Sequence, residues 1–248
     1  MALRMVQVGQ GKSRPLVVGY MVFPSVDARL RSAFGPGPCI IMDDSDTGST
    51  LWQAFEMAFS QAGIEVIPRL GLIGFSAGCQ RIRSLYRDEG IRAHAYLLVD
   101  GTHASLPPEH SEIAWLQQAA AEAQSGQSVL VASHTLQTYV EELPPAKRFA
   151  STLRVLRLAT GFNLDEAGPL EAPRITQSGQ LWVYSYASAK NDPKAQVDQH
   201  EWALPALAAA HMGPALTGQA QVPAQEAKGS GAGLGLALVA AGVVWAVG

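Results

Sequence analysis

The chain has 248 residues, of which 48% are apolar and 16% charged, and its formal net charge is −3. This composition supports a large buried core and excludes a chain that is disordered over most of its length. Acidic residues slightly outnumber basic ones, so we expect no nucleic-acid partner.

The first part of the chain alternates short apolar runs with helical patterns. Two β-rich runs, Met5 to Val8 and Leu16 to Phe23, flank a polar turn and predict an opening hairpin. A break rich in proline and glycine then precedes a short strand at Cys39 to Met42. Apolar residues at helical spacing predict a helix from Leu51 to Gly63, where the glycine ends it.

The rest of the chain continues this alternation. Further strands are predicted at Leu70 to Phe75, Ala95 to Val99, Ser128 to Ala132 and Leu181 to Ala187. Further helices are predicted at Gly78 to Tyr86, Ser111 to Ser125, Thr135 to Glu142, Ala146 to Leu158 and Trp202 to His211. Short all-apolar strands between helices are typical of a parallel sheet that is covered on both faces. We therefore predict an α/β fold with a mostly parallel central sheet flanked by helices.

The two cysteines, Cys39 and Cys79, fall in or beside apolar runs, which predicts two buried thiols, with a disulfide as the alternative. Neither the cysteines nor the six histidines show the spacing of metal ligands, so no metal site is predicted. The N-terminus lacks the long apolar run of a secretory signal peptide, and we expect none.

The C-terminal part of the chain differs in composition. We divide the chain into a domain at residues 1–222, a polar linker of small residues at 223–231, and an apolar helix at 232–248. The uncharged stretch from Gly229 to Gly248 is just long enough for a membrane span of about 20 residues. The alternative is a helix that docks on protein. The sequence therefore leaves the location of the protein open. Association with a membrane or a larger particle is expected to take place through this segment.

The residues Gly74-Phe75-Ser76-Ala77-Gly78 match the pattern G-x-S-x-G. This pattern places a serine on a sharp turn between a strand and a helix, so that its hydroxyl projects from the edge of the sheet. The two glycines remove side chains that would clash in the turn. Here the motif follows the apolar strand at Leu70 to Phe75 and precedes a helix, which is the context that the chemistry requires. Ser76 is therefore the predicted nucleophile.

At this motif the chain resembles the α/β-hydrolase family, and the resemblance extends over roughly Leu16 to Met212. The form is abbreviated, because few residues separate the helix at Leu51 to Gly63 from Ser76, where the family fits a further strand and helix. The resemblance implies hydrolysis of a small ester, less often an amide, through an acyl-enzyme on Ser76. It implies no cofactor.

The family orders its catalytic residues as serine, then Asp or Glu, then histidine. Asp100 follows the strand after the nucleophile helix and is the acid that this order implies. The alternative is that Asp100-Gly101 forms only a turn. His200, in the loop after the last predicted strand, is the implied base, and His134 and His211 are the alternative bases.

An oxyanion hole needs two backbone N–H groups. The resemblance implies Ala77, directly after the nucleophile, for one group, and Ser45, in the loop after Met42, for the other. Family members commonly carry His-Gly in that loop, whereas this chain has Asp43-Asp44. This departure and the abbreviated sheet favour a second hypothesis. In that hypothesis the chain is a structural or interaction subunit of a membrane or viral assembly, with a hydrolase-like fold and little or no catalysis.

A second motif, Asp46-Thr47-Gly48, is similar to the catalytic loop of pepsin-type aspartic proteases. That chemistry requires two such loops whose aspartates share a proton, and the sequence contains one. The spacing of Asp44 and Asp46 also resembles a calcium loop, but no glutamate stands at the required last position. We expect a polar loop with Asx turns and a helix N-cap at Ser49 or Thr50.

Overall fold

The computed structural model describes residues 3–45, 50–136, 139–169, 171–187 and 203–218. Its strands are β1 Leu3–Gln7, β2 Leu16–Tyr20, β3 Cys39–Asp43, β4 Leu70–Phe75, β5 Ala95–Val99, β6 Val129–Thr135, β7 Arg174–Ser178 and β8 Leu181–Tyr186. Its helices are α1 Asp27–Phe34, α2 Trp52–Gln61, α3 Gly78–Arg87, α4 His110–Gln124, α5 Thr152–Thr160 and α6, a helical segment over residues 203–217 that contains a π-helical turn at Ala208–Met212.

The eight strands form one sheet in the order β1-β3-β2-β4-β5-β6-β8-β7. The six inner strands run parallel, and the edge strands β1 and β7 run antiparallel to their neighbours. All positions of the six inner strands are buried. This burial explains their largely apolar sequences, since a strand covered on both faces has no side for exposed polar residues. The predicted α/β class with a mostly parallel sheet is confirmed.

Helices cover both faces of the sheet. The helices α2 to α5 pack on one face through side chains that include Phe55, Ile82, Leu116 and Leu156. On the other face, α1 and α6 pack through side chains that include Leu30, Phe34, Leu207 and Met212. Gly71 of β4 allows α6 to approach the sheet, because a Cβ at Gly71 would lie 2.8 Å from the Cε of Met212.

The direction of chain progression reverses between β2 and β4. From β2 the chain passes through α1 to β3 on one side, whereas from β4 it passes through α3 to β5 on the other side. The connections after β2 and β4 therefore diverge and open a crevice at the carboxyl ends of these two strands. Ligands of open α/β sheets bind at such a switch point. The topology thus directs attention to the residues that follow Tyr20 and Phe75.

The predicted opening hairpin is wrong. β1 pairs with β3, whereas β2 lies between two parallel neighbours, β3 and β4. The sequence analysis also missed α1, which carries Asp27, Arg29 and Arg31 and buries only Leu30 and Phe34 among its eight residues. α1 makes the crossover from β2 to β3, and the chain passes from α2 to β4 with no further helix or strand in the described residues between them.

Two further predictions need correction, and one further strand was not predicted. The helix predicted at Thr135 to Glu142 is wrong, since β6 extends through its first residue and only a short 3₁₀ turn follows at Tyr139–Glu141. The helix predicted at Ala146 to Leu158 begins later, at Thr152, where the side chain of Ser151 caps its N-terminus. The sequence analysis missed β7 because exposed positions interrupt its apolar pattern.

Cys39 and Cys79 are both buried free thiols, as predicted. Burial raises the pKa of both thiols, that of Cys39 to about 11. In the part of the chain that the structure describes, none of the helices combines the length and hydropathy that a membrane crossing requires. The linker at 223–231 and the apolar segment at 232–248 lie outside the described residues, so the C-terminal helix stays a prediction.

Candidate active site

Three neighbouring strands end in residues with an unusual backbone conformation. Met21, Ser76 and Asp100 have φ angles of 59°, 49° and 42°, and each directly follows a strand: β2, β4 and β5 respectively. Among the described residues, no other residue except glycine has a positive φ. This conformation costs an L-residue about 1–3 kcal/mol and persists only where the surroundings impose it, most often at functional sites. These three residues mark the carboxyl edge of β2, β4 and β5 as the candidate site.

The turn at Ser76 depends on the glycines at either side. A Cβ at Gly74 would lie 2.8 Å from the Cα of Cys79, and a Cβ at Gly78 would overlap the carbonyl oxygen of Tyr20. Only glycine at both positions lets α3 start directly beside the end of β4. Ser76 thus lies at the apex of the turn, where its side chain is half-buried. This geometry is the one that the G-x-S-x-G pattern predicted.

Hydrogen bonds fix the turn at Ser76 to the neighbouring strand. The N–H of Ser76 donates to the carbonyl of Val99 at 2.9 Å, and the Ser76 carbonyl accepts the N–H of Cys79 at 3.1 Å. Gly101 packs so closely against Ser76 that a Cβ at Gly101 would overlap the Ser76 carbonyl oxygen. Gln80 Nε2 donates to the Gly101 carbonyl at 2.7 Å. The serine turn and the loop after β5 therefore hold each other in place.

Asp100 is the carboxylate that the fold places beside this turn. Its N–H donates to the carbonyl of Ser133 at 3.0 Å. Its Oδ2 accepts a hydrogen bond from Thr135 Oγ1 at 3.0 Å. Asp100 is half-buried, whereas Thr135 is only 4% exposed. The structure thus brings Ser76 and Asp100 to adjacent strand ends, as their order in the sequence implied.

Two backbone amides lie at the same edge. Within the described residues, neither the N–H of Ala77 nor that of Met21 has a hydrogen-bond acceptor. Ala77 precedes the first residue of α3, where the positive end of the helix dipole lies. Met21 follows β2, the immediate neighbour of β4. These two amides are the donors that the fold places on either side of the crevice.

The structure does not support Ser45 as the second oxyanion donor. Its N–H donates to Asp43 Oδ1 at 2.8 Å. The Asp43 carboxylate is 1% exposed and also accepts the N–H of Thr50 at 3.0 Å and its hydroxyl at 2.7 Å. In addition, Ser45 follows β3, which β2 separates from β4. The Asp43 carboxylate therefore fixes the loop after β3, and Met21, which follows the neighbour of β4, is the candidate donor instead of Ser45.

His134 belongs to the interior of the sheet. Its ring is fully buried, with Nε2 at 2.7 Å from the hydroxyl of Ser185 and Nδ1 at 3.0 Å from the carbonyl of Thr135. Burial lowers the pKa of His134. Both ring nitrogens are thus engaged between β6 and β8, which rules out this alternative base.

His211 is also part of the core. Its Nε2 lies 2.7 Å from the hydroxyl of Tyr184, and its ring centroid lies 4.6 Å from that of Trp182. Burial lowers the pKa of His211 to about 4. His211 connects α6 to β8, so the structure gives this second alternative base a packing role.

His200 lies outside the described residues and stays the predicted base. The segment that contains it leaves the sheet after Tyr186, at the carboxyl end of β8, and therefore starts at the same edge as Ser76. Among the described histidines, His103 is the one in the loop that follows Asp100. Its ring packs edge-on against Phe149, with centroids 4.6 Å apart, and its carbonyl accepts a hydrogen bond from Gln80.

The second motif of the sequence adds little to the site. Residues 46–49, which include the whole Asp46-Thr47-Gly48 pattern, lie outside the described residues. In the ranges that the structure describes, no three His, Cys, Asp or Glu side chains are grouped so that they could hold a metal ion.

No family model, no curated protein and no solved structure matches this chain. The assignment of a site therefore rests on the chain's own geometry. We conclude that the chain is an α/β protein whose candidate active site combines Ser76, Asp100 and the backbone amides of Ala77 and Met21.

Proposed function

We propose that the chain is a serine hydrolase of the α/β-hydrolase type that cleaves an ester, less readily an amide, through an acyl-enzyme on Ser76. The observation that carries this proposal is the conformation of Ser76. A residue with φ of 49° stands between a buried parallel strand and a helix, at the switch point of the sheet. Such a turn exposes a serine hydroxyl to a substrate while the backbone behind it stays fixed.

In the proposed reaction, Ser76 Oγ attacks the ester carbonyl while the imidazole of His200 accepts its proton. The carboxylate of Asp100 orients that imidazole and stabilises its protonated form. The N–H groups of Ala77 and Met21 stabilise the oxyanion of the tetrahedral intermediate. Collapse of this intermediate releases the alcohol, which takes the proton from the imidazolium. Water then attacks the acyl-enzyme, with His200 again as base, and releases the carboxylic acid and free Ser76.

The electrostatic part of this mechanism depends on rigid donors. An oxyanion donor contributes about 10²–10³-fold in kcat when it is preorganised. The Ala77 amide is held by the turn that Gly74 and Gly78 impose, and the Met21 amide directly follows the inner strand β2. Both donors therefore belong to the sheet edge.

Covalent labelling with a fluorophosphonate probe tests the proposal. The wild-type chain should be labelled at Ser76, because labelling requires an activated serine hydroxyl. The Ser76→Ala variant should not be labelled, whereas Ser60→Ala, which removes an exposed hydroxyl on α2, should be labelled like the wild type. A folded wild-type chain that resists labelling would overturn the proposal in favour of a structural or interaction role.

The base is tested by burst kinetics with p-nitrophenyl acetate. The His200→Ala variant should lose the burst, because Ser76 then has no proton acceptor. The His103→Ala variant should keep it. If the two results are exchanged, the base is His103, and the loop after β5 supplies both the acid and the base.

A further inference from the structure

Phe23 is an exposed aromatic side chain beside the proposed nucleophile. It lies in the connection after β2, and 52% of its surface is exposed. Its ring packs edge-on against Phe75, with centroids 5.4 Å apart and an angle of 72° between the planes. Phe75 is the residue before Ser76. Phe23 therefore contacts the residue that leads into the serine turn, at the carboxyl edge of the sheet.

The loop that carries Phe23 is held in place. The carbonyl of Val22, which is 3% exposed, accepts a hydrogen bond from Arg4 Nη2 at 2.7 Å. Arg4 Nη1 also forms an ion pair with Asp27 at 2.6 Å, which ties the start of α1 to β1. Phe23 is followed by Pro24, whose fixed φ begins a short 3₁₀ turn. An aromatic ring with two side-chain torsions on such a loop loses little conformational freedom when a ligand contacts it.

A second exposed apolar side chain lies at the same edge of the sheet. Leu136 directly follows β6, and 38% of its surface is exposed. The residue before it, Thr135, donates the hydrogen bond to Asp100. Phe23 thus lies beside the serine turn, and Leu136 lies beside Thr135, which binds the carboxylate of Asp100. Single exposed apolar residues are common, but these two occupy the loops that border one site.

We infer that Phe23 forms the wall of an acyl-binding subsite and that the substrate is an ester of an apolar acyl group. This inference rests on the proposed function. The acyl carbon bonded to Ser76 Oγ would place its chain beside the ring of Phe23, where each buried methylene raises kcat/KM by about fourfold. Phe23 is then a specificity-determining residue, whereas it takes no part in the bond changes at Ser76.

The test compares kcat/KM for p-nitrophenyl acetate, butyrate and octanoate. The wild type should prefer butyrate to acetate by about fifteenfold, because butyrate has two more methylenes. Phe23→Ala should lower kcat/KM for butyrate by about tenfold and for acetate by less than about threefold, and Phe23→Leu should restore most of the loss. Leu158→Ala is the matched control, since Leu158 is 48% exposed on α5 and should leave all three values unchanged.

The outcomes separate this inference from the function on which it rests. If Ser76 is labelled by the fluorophosphonate probe but Phe23→Ala keeps the wild-type preference for chain length, the acyl subsite is overturned and the hydrolase stands. A labelled wild type that prefers acetate also overturns the subsite alone. A wild type that is neither labelled nor active overturns both proposals. Phe23→Leu keeps an apolar side chain, so a loss that it restores reports on contact with the acyl chain.

Discussion

The hydroxyl of Thr135 donates a hydrogen bond to Asp100 Oδ2 at 3.0 Å and joins the ends of β6 and β5. Hydrogen bonds to charged groups contribute about 1.5–3 kcal/mol. Thr135→Val keeps the shape of the side chain and removes the donor, so the carboxylate should lose its fixed orientation. We expect fluorophosphonate labelling of Ser76 to slow by about tenfold or more.

Thr135→Ser is the control for this change, because it keeps the hydroxyl and should label at nearly the wild-type rate. Urea unfolding of both variants separates a local effect from a loss of stability. Equal labelling rates for Thr135→Val and the wild type would show that the hydrogen bond from Thr135 does not set the orientation of Asp100.

Gly101 leaves no room for a side chain. A Cβ there would overlap the carbonyl oxygen of Ser76, which is backbone and cannot rotate away. We expect Gly101→Ala to destabilise the fold by about 1–3 kcal/mol and to displace the serine turn, with loss of labelling. Gly37→Ala is the matched control, since nothing lies within 4 Å of a Cβ at that position. Normal labelling of Gly101→Ala would mean that the two loops move independently.

The backbone strain at Ser76 can be measured as a stability difference. Ser76→Ala keeps the Cβ and the strain of a positive φ, whereas Ser76→Gly removes both. We therefore expect the glycine variant to be more stable than the alanine variant by about 1 kcal/mol in urea unfolding. Ala121 is an exposed helical position in α4, and there the glycine variant should be less stable than the chain with alanine. A glycine variant less stable than Ser76→Ala would argue against strain at the turn.

The burial of His211 makes the stability of the fold depend on pH. Its pKa is lowered from 6.5 to about 4, so the unfolded chain binds a proton at a higher pH than the folded chain. This stability is fully present above pH 6.5 and is lost as the pH falls toward 4. Between pH 7 and pH 5, His211 should account for a loss of about 2 kcal/mol in the free energy of unfolding.

Urea unfolding at pH 7 and pH 5 checks this value with the His211→Gln variant. Glutamine cannot titrate, so the variant should lose about 2 kcal/mol less than the wild type over this range. The remaining loss includes His134, whose pKa burial also lowers. An unchanged pH dependence in His211→Gln would mean that the ring is hydrated in the folded state.

Local sequence was sufficient for the central strands and the serine turn. The bounds predicted for β4 and β5 agree with the structure, because each is an uninterrupted apolar run that ends at a turn. The glycines around Ser76 could be interpreted from the sequence, because their constraint acts within a few residues. Asp100 could be placed at a strand end for the same reason.

The order of the strands in the sheet could not be predicted from local sequence in the same way. A β-rich run contains no information about which strand it will pair with, so the sequence predicts a hairpin of β1 and β2, whereas β3 lies between them in the sheet. Ser45 follows β3, whereas the residue after β2, the strand that pairs with β4, is Met21. The positive φ of Met21 arises from its surroundings and has no counterpart in its residue type.

The sequence by itself determined that this chain forms an α/β sheet with a serine at a strict strand–helix turn, because period, burial and glycine sterics are local properties. Only the tertiary structure decided which groups meet that serine. His134 forms a hydrogen bond with Ser185, and His211 forms one with Tyr184. These partners lie 51 and 27 residues away in the chain, and the contacts hold both rings in the core. Phe23 and Thr135 lie near Ser76 and Asp100 because β2 is the neighbour of β4 and β6 is the neighbour of β5. These contacts depend on how distant segments pack, since the free energy of burial is set by the whole sheet and its covering helices.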